Sequence, residues 1–231
     1  MKFYGIQKLS LVDYDSEVSC ALFTRGCNMR CPFCHNYELV VYNENFTKAI
    51  PDEDIKNYLL THTNRLSAVV ITGGEPTLDD SLEEMCDWIK GLGYKIKLDT
   101  NGTNPDMLIG LIEKGLIDYV AVDIKNSYDK YPLTVGAQLF DTDGIRKTVS
   151  YLIHHDFPYE FRTTLINEFH SLESIEEMGR AIEGAECLFL QHFVMSEFVP
   201  DKTLTPVERK NALEMRQILE KYVKNVNLRG Y

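Results

Sequence analysis

No apolar run in this 231-residue chain reaches the roughly 18 residues that a membrane-spanning helix requires, so a bilayer-spanning segment is excluded. The opening run MKFYGIQKLS lacks the apolar stretch of a secretory signal, and the expected compartment is the cytoplasm. Positive charge is scarce. With 24 Lys and Arg against 35 Asp and Glu, the net charge is −11 and the pI is near 5.0. That balance speaks against the clustered cations of a DNA or RNA footprint and against attraction to an anionic membrane surface. Neither nucleic acid nor a membrane is therefore an expected partner. No internal repeat, low-complexity tract, long linker or shift of composition marks a domain boundary. Residues 1–231 are expected to form one domain with short N- and C-terminal extensions, a size at which barrel-like α/β domains stay undivided. Cysteine is sparse, at six residues, and in a reducing compartment these thiols do not make a disulfide framework. Cys20, Cys86 and Cys187 lie inside apolar runs and are expected as packing residues.

Short β-branched and apolar runs alternate with segments of helical period, the pattern of a parallel sheet with crossover helices. Six strands are predicted, at 18–23, 68–71, 94–98, 119–122, 159–166 and 187–194. Between them, residues 52–63 place Ile55, Tyr58, Leu59 and His62 on one helical face, and Leu82, Met85, Trp88 and Ile89 repeat the spacing. Asn104 and Pro105 supply an N-cap and a first-turn proline for a helix that stops at Gly115. Residues 143–154 form the next helix, and Ser171 caps another that runs to Ile182. Thr205, Pro206 and Glu208 read as a capping box opening a last helix, and the tail VNLRGY is a candidate final strand. Periodicity alone leaves a closed barrel, a partial barrel and an open sheet in contention. In each of them chemistry gathers at the carboxyl ends of the strands.

Three cysteines sit within eight residues, Cys27, Cys31 and Cys34 of GCNMRCPFC, in the loop that follows the first predicted strand. Thiolate is the soft ligand that selects iron-sulfur clusters or zinc over hard cations. Three thiolates at this spacing can hold a cluster with one iron left open to a substrate. Zinc held with His35 or a remote fourth ligand is the alternative. Against zinc, such sites usually pair their ligands in two separated knuckles, and the sequence has no second one.

The other strand tips are polar. Gly73, Gly74 and Glu75 follow the second strand, two glycines that let the backbone approach a ligand and a carboxylate beside them. The third ends in Asp99-Thr100-Asn101-Gly102, a turn signal whose Asp99 can accept hydrogen bonds from a ribose diol. In Asp123-Ile124-Lys125, after the fourth strand, alternation points the carboxylate and the ammonium the same way. Glu160, Arg162 and Thr164 make one side of the fifth strand polar, and a buried Arg needs an anionic partner. The sixth ends in Gln191 and His192, and a single histidine more often serves structure than ligation. Taken singly, each of these tips also reads as a turn or a salt bridge.

Together, the residues resemble the radical S-adenosylmethionine (radical SAM) superfamily. Its CxxxCxΦC motif corresponds to Cys27-Asn28-Met29-Arg30-Cys31-Pro32-Phe33-Cys34, with the aromatic Phe33 before the last cysteine, and its Gly-Gly-Glu segment to Gly73, Gly74 and Glu75. More narrowly, GIQKLSLVDYD, FTRGCNMRCPFCHNYEL, LDTNG, DIKNSYDKY and EFRTTLI are similar to the anaerobic ribonucleotide reductase activating proteins and their pyruvate formate-lyase activating relatives. The resemblance implies an α/β fold, a partial (βα)6 barrel with a parallel sheet and outer helices. It implies a 4Fe-4S cluster on Cys27, Cys31 and Cys34, with S-adenosylmethionine chelating the open iron. The methionyl amino group then falls to Gly73, Gly74 and Glu75, and the ribose to Asp99. Asp99, Thr100 and Asp123 are placed beside a monovalent cation, and Phe33, Lys125, Arg162 and His192 in the same cofactor pocket.

The implied partners are a glycyl radical enzyme, anaerobic ribonucleotide reductase foremost, and a one-electron donor such as flavodoxin or ferredoxin. Arg25 and Arg30 offer a basic patch for an acidic donor. The chain has neither the length nor the cysteines for the ferredoxin-like insertion of many such activases. Radical SAM enzymes acting on a small molecule, a nucleobase or a peptide share the same core and form the second reading. A redox sensor using the cluster alone is the third, and it leaves Gly73 to Glu75, Asp99 and Lys125 without a purpose.

Overall fold

In the computed structural model, which describes residues 1–41 and 48–231, the described residues form eight strands hydrogen-bonded in chain order. The chain divides into two compact units, residues 1–28, 36–100 and 104–120 in the first, and residues 29–35, 101–103 and 121–231 in the second.

The first unit begins with β1 (Gly5–Ser10), β2 (Ser19–Thr24), α1 (Tyr37–Val40), α2 (Asp52–Thr61) and β3 (Ala68–Gly73). It continues through α3 (Leu82–Gly91), β4 (Lys95–Thr100), α4 (Pro105–Glu113) and the start of β5 (Tyr119–Asp123). β2, β3 and β4 run parallel, with Thr24 opposite Gly73 and Ile71 opposite Leu98. Parallel neighbours need crossover connections, and these put the carboxyl ends of the three strands at one edge. Leu22, Val69, Ile71, Ile96 and Leu98 are buried, as are Leu59, Leu82, Cys86, Ile89 and Leu108 of the helices. Such near-continuous apolar strands belong to a sheet covered on both faces. A second cluster joins Tyr14, Ala21, Ala68 and Val70, with Phe23 and Tyr119 packed against it. At α4, the Asn104 side chain accepts from the Met107 amide and Pro105 sits in the first turn, as the sequence predicts.

The second unit takes the end of β5, then α5 (Tyr131–Thr134), α6 (Asp143–His154), β6 (Tyr159–Leu165) and α7 (Leu172–Ala181). β7 (Cys187–His192), α8 (Arg209–Leu219) and β8 (Asn225–Arg229) complete it. β6, β7 and β8 are parallel, with Leu165 opposite His192 and Gln191 opposite Arg229. α6 occupies the predicted residues and buries Ile145, Val149 and Leu152. Ser171 and Ser174 close a reciprocal capping box on α7.

The α/β class and the mostly parallel sheet are those expected, and the departures are local. β1 was not among the predicted strands. It pairs antiparallel to β2 through a register shift between Gln7 and Ser10, and its middle residues are exposed, so it lacks the apolar alternation that marks a strand. The tail strand is present as β8. α8 starts at Arg209, with no side-chain cap from the predicted box. Thr205 instead donates its hydroxyl to Glu168 at 2.7 Å, and Pro206 bridges Ile166, so these residues extend the chain beside β6 before the helix begins. Of the three packing cysteines, Cys20 and Cys86 are fully buried, and burial pushes both thiols up to about 12, which keeps them inert. Cys187 is only half-buried and accepts from Asn227 at 3.9 Å.

Candidate active site

In the first unit, two loops are tied together where β2 and β3 end. The amide of Gly74 donates to the Thr24 carbonyl at 3.1 Å and that of Glu75 to the Gly26 carbonyl at 2.7 Å. The approach is close enough to require glycine. A Cβ on Gly74 would lie 2.0 Å from the Gly26 oxygen, and Gly73, at φ +115°, would put one 2.5 Å from the Thr24 nitrogen. Asn36 donates to the Gly73 carbonyl at 3.2 Å. The Gly-Gly-Glu segment is thereby fixed to the loop that leads into Cys27.

Glu75 itself is turned inward, 2% exposed. Its Oε1 accepts from the Thr77 amide at 3.1 Å, the Thr77 hydroxyl at 2.6 Å and the Thr100 hydroxyl at 2.7 Å. This carboxylate therefore joins the tip of β4 to the turn after β3. On β4, the Asp99 carboxylate lies 3.9 Å from the ammonium of Lys97, two residues earlier on the same side of the strand.

The second unit carries the remainder of the cysteine loop. Arg30 donates its amide to Val135 at 3.0 Å, Cys34 to Cys31 at 3.1 Å, and Asp201 to Pro32 at 3.1 Å. Cys31 and Phe33 are buried, and the Phe33 ring packs against Phe169. His35 Nε2 lies 2.7 Å from the Val194 carbonyl. None of the six cysteines is in a disulfide. Among the described residues, no three His, Cys, Asp or Glu side chains form a closed cage around a single ion.

After β5, Asp123 receives Arg162 Nε on one carboxylate oxygen at 2.9 Å and Lys125 Nζ on the other at 3.0 Å. Burial works to raise the Asp123 carboxyl, but the two cations outweigh it and hold it at about 2. Burial likewise opposes the charge on Lys125, yet Asp123 and Cys31 raise its pKa and keep it an ammonium. That ammonium also lies 5.8 Å from the Phe33 ring centre. Two backbone contacts hold Lys125 from behind. Its amide donates to the Tyr131 hydroxyl at 3.0 Å, and His170 Nε2 meets its carbonyl at 3.0 Å. Arg162 thus finds the anionic partner its burial demands. Glu160, 1% exposed, pairs in bidentate fashion with Arg229 at 3.3 and 3.2 Å, and Arg229 stacks on Phe189. His192 ends β7 and packs edge-on against Tyr231 at 4.8 Å.

The donor set suits a soft cluster: three cysteine thiols on one loop, none in a disulfide, with a fixed ammonium acting on Cys31. Within the first unit the structure brings together Gly73, Gly74, Glu75 and Thr100, and within the second Asp123, Lys125, Arg162, Cys31 and Phe33. Sequence reasoning missed Lys97, His170 and Arg229. The alternation of Lys95, Lys97 and Asp99 in β4 was the available signal for the first of these. His170 had no comparable signal, because its role depends on which backbone groups the fold leaves beside it.

The family model of the radical SAM superfamily matches residues 21–181. A protein of Methanocaldococcus jannaschii, provisionally named a glycyl-radical enzyme activating enzyme, is 33% identical over 97% of this chain and 94% of its own. Among solved structures, Streptococcus suis SuiB bound to S-adenosylmethionine aligns over 90% of this chain and 49% of that one, with a TM-score of 0.68 and 16% identity. A domain of pyruvate-formate lyase-activating enzyme from Bacteroides vulgatus aligns over 71% of this chain and 99% of that one, at a TM-score of 0.57 and 16% identity. At such identities the structural likeness is one of fold.

Proposed function

The chain belongs to the radical SAM superfamily, and from that premise we propose that it cleaves S-adenosylmethionine reductively to place a glycyl radical on a partner enzyme, an anaerobic ribonucleotide reductase being the target we favour. The superfamily uses a 4Fe-4S cluster and S-adenosylmethionine. The observation that carries the activase reading is a provisionally named activase matching this chain from end to end, not over a shared core alone.

Cys27, Cys31 and Cys34 would hold the cluster. Bound there with S-adenosylmethionine, the cluster supplies the electron that releases methionine and a 5′-deoxyadenosyl radical, the species that removes a hydrogen atom from the substrate. The remaining work belongs to binding and orientation, because hydrogen-atom abstraction needs no general acid or base. Gly73 and Gly74 present bare backbone for the methionyl amino group. Glu75 acts by bracing, since its carboxylate is already engaged by Thr77 and Thr100. Lys125 is a permanent cation suited to the methionyl carboxylate, and Asp99 suits the ribose. Phe33 shields the cysteine loop, Arg162 holds Asp123 in place, and His192 lines the same pocket. A flavodoxin or ferredoxin would deliver the electron.

Anaerobic reconstitution with iron and sulfide, followed by dithionite and S-adenosylmethionine, should yield 5′-deoxyadenosine and methionine. Their absence would sink the radical reading. Cys31→Ala should lose both the cluster absorbance and the cleavage, and retained cleavage would defeat the ligand assignment.

A further inference from the structure

In the second unit, β6 turns two unlike sides to its surroundings. Phe161, Thr163 and Leu165 are buried, and the Thr163 hydroxyl lies 3.6 Å from the Met178 sulfur of α7, so this side faces the helix. Glu160, Arg162 and Thr164 point the other way. Register carries that second side across the sheet, because Arg162 stands opposite Phe189, Thr164 opposite Gln191, and Gln191 opposite Arg229. The contacts agree: Arg229 pairs with Glu160 and stacks on Phe189, and Arg162 reaches Asp123. The charged side chains of this face are thus engaged with one another. Thr164 and Gln191 differ from them. Both are half-buried, and among the described residues neither the Thr164 hydroxyl nor the Gln191 side-chain amide has a hydrogen-bond partner. Neither group is sealed from solvent.

The two residues sit side by side near the carboxyl ends of β6 and β7, on strands about 4.8 Å apart. From there the chain runs to the cysteine loop. Val194, three residues beyond Gln191, meets His35 through its carbonyl at 2.7 Å, and three residues of extended chain span at most about 10 Å. Further along the same segment, the Asp201 amide ties to the Pro32 carbonyl at 3.1 Å.

We propose that Gln191 and Thr164 hold a peptide group of the partner enzyme beside the glycine that loses its hydrogen atom. The proposal rests on the activase reading and names the substrate contact within it. Glycine has no side chain to grip, so a protein that selects one glycine Cα must hold the main chain around it. A peptide group is neutral, with one N–H to donate and one carbonyl to accept, and it resists leaving water unless both are met. Gln191 offers an amide oxygen and an NH2, and Thr164 a hydroxyl that both donates and accepts. The pair can therefore satisfy a peptide group without adding a charge to a face whose ions already engage each other.

The test follows the initial rate of glycyl doublet formation by electron paramagnetic resonance, over a range of concentrations of a candidate anaerobic ribonucleotide reductase. Cleavage of S-adenosylmethionine with dithionite is measured in parallel without the reductase. Gln191→Ala and Thr164→Val should each raise the KM for the reductase about five- to ten-fold, the cost of a lost hydrogen bond. Reductase-free cleavage and S-adenosylmethionine affinity should stay within about two-fold of wild type. A wild-type KM in both variants overturns the proposal. So does a loss of cofactor affinity or reductase-free cleavage as large as the change in KM, because the pair would then serve the cofactor. Circular dichroism checks that the variants are folded. Should either not fold, Gln191→Glu, which removes the NH2, must raise the KM and Thr164→Ser, which keeps the hydroxyl, must leave it unchanged, and any other pattern counts against the proposal. No doublet with the wild type, while 5′-deoxyadenosine still forms, overturns the activase reading and this proposal with it.

Discussion

At the scale of single residues, the site is made by groups whose protonation state burial and neighbours decide. His170 is the clearest case, 3% exposed and held by backbone groups of two residues. Its Nδ1 lies 3.0 Å from the Ile166 amide and 3.1 Å from the Ile166 carbonyl, and its Nε2 lies 3.0 Å from the Lys125 carbonyl. Burial lowers its pKa below the ordinary 6.5, and the backbone contacts only partly oppose this. The unfolded chain therefore takes up a proton near 6.5 that the folded chain resists, so this term costs stability as the pH falls below that value. Urea unfolding should show stability falling as the pH drops below that ordinary value. His170→Gln should flatten that part of the profile, and an unchanged slope would show that His170 is not the group responsible. Asp123 behaves in the opposite sense to the usual buried acid. Its carboxyl is held at about 2 against a reference of 3.8, so its contribution persists above the reference value and fades only as the pH falls between those two values.

At the scale of elements, the β2 and β3 loops form one braced edge, joined by the Gly74 and Glu75 amides and locked to β4 through Glu75. Gly74→Ala tests that edge, since the added Cβ would sit 2.0 Å from a backbone oxygen with no flexible side chain to yield. The expected cost is about 1–3 kcal/mol in thermal unfolding, with weaker S-adenosylmethionine binding. A melt and an affinity equal to wild type would show that the two loops do not need this contact. The same scale shows why some elements were legible and others were not. α4 was readable because Asn104 and Pro105 act within their own turn. The start of α8 was misread because Thr205 met a partner, Glu168, 37 residues away. Edge strand β1 escaped because only one of its sides has a strand neighbour, which leaves its middle residues exposed.

At the scale of the whole molecule, the proposed activity is tested by the hydrogen atom it removes. No helix among the described residues is long and apolar enough to cross a membrane, and a net charge of −11 disfavours general attraction to a polyanion. When the reduced, reconstituted protein is incubated with S-adenosylmethionine and a candidate anaerobic reductase, electron paramagnetic resonance should show a glycyl doublet on the reductase. Production of 5′-deoxyadenosine without that doublet, for every glycyl radical protein encoded nearby in the genome, would transfer the function to a small-molecule, nucleobase or peptide substrate.

The sequence by itself determined the alternation of strands and helices, the cysteine loop and the order of the polar strand tips, because each depends on residues close together in the chain. Only the tertiary structure decided what those tips do. It tied the Glu75 carboxylate to Thr77 and Thr100, gave Arg162 its partner in Asp123, and set Lys97 beside Asp99 with Asp13 and Tyr119 around it. The physical reason is range. Periodicity and capping act within a few residues, whereas the partner of a buried charge is chosen by whichever strand or loop the fold lays against it.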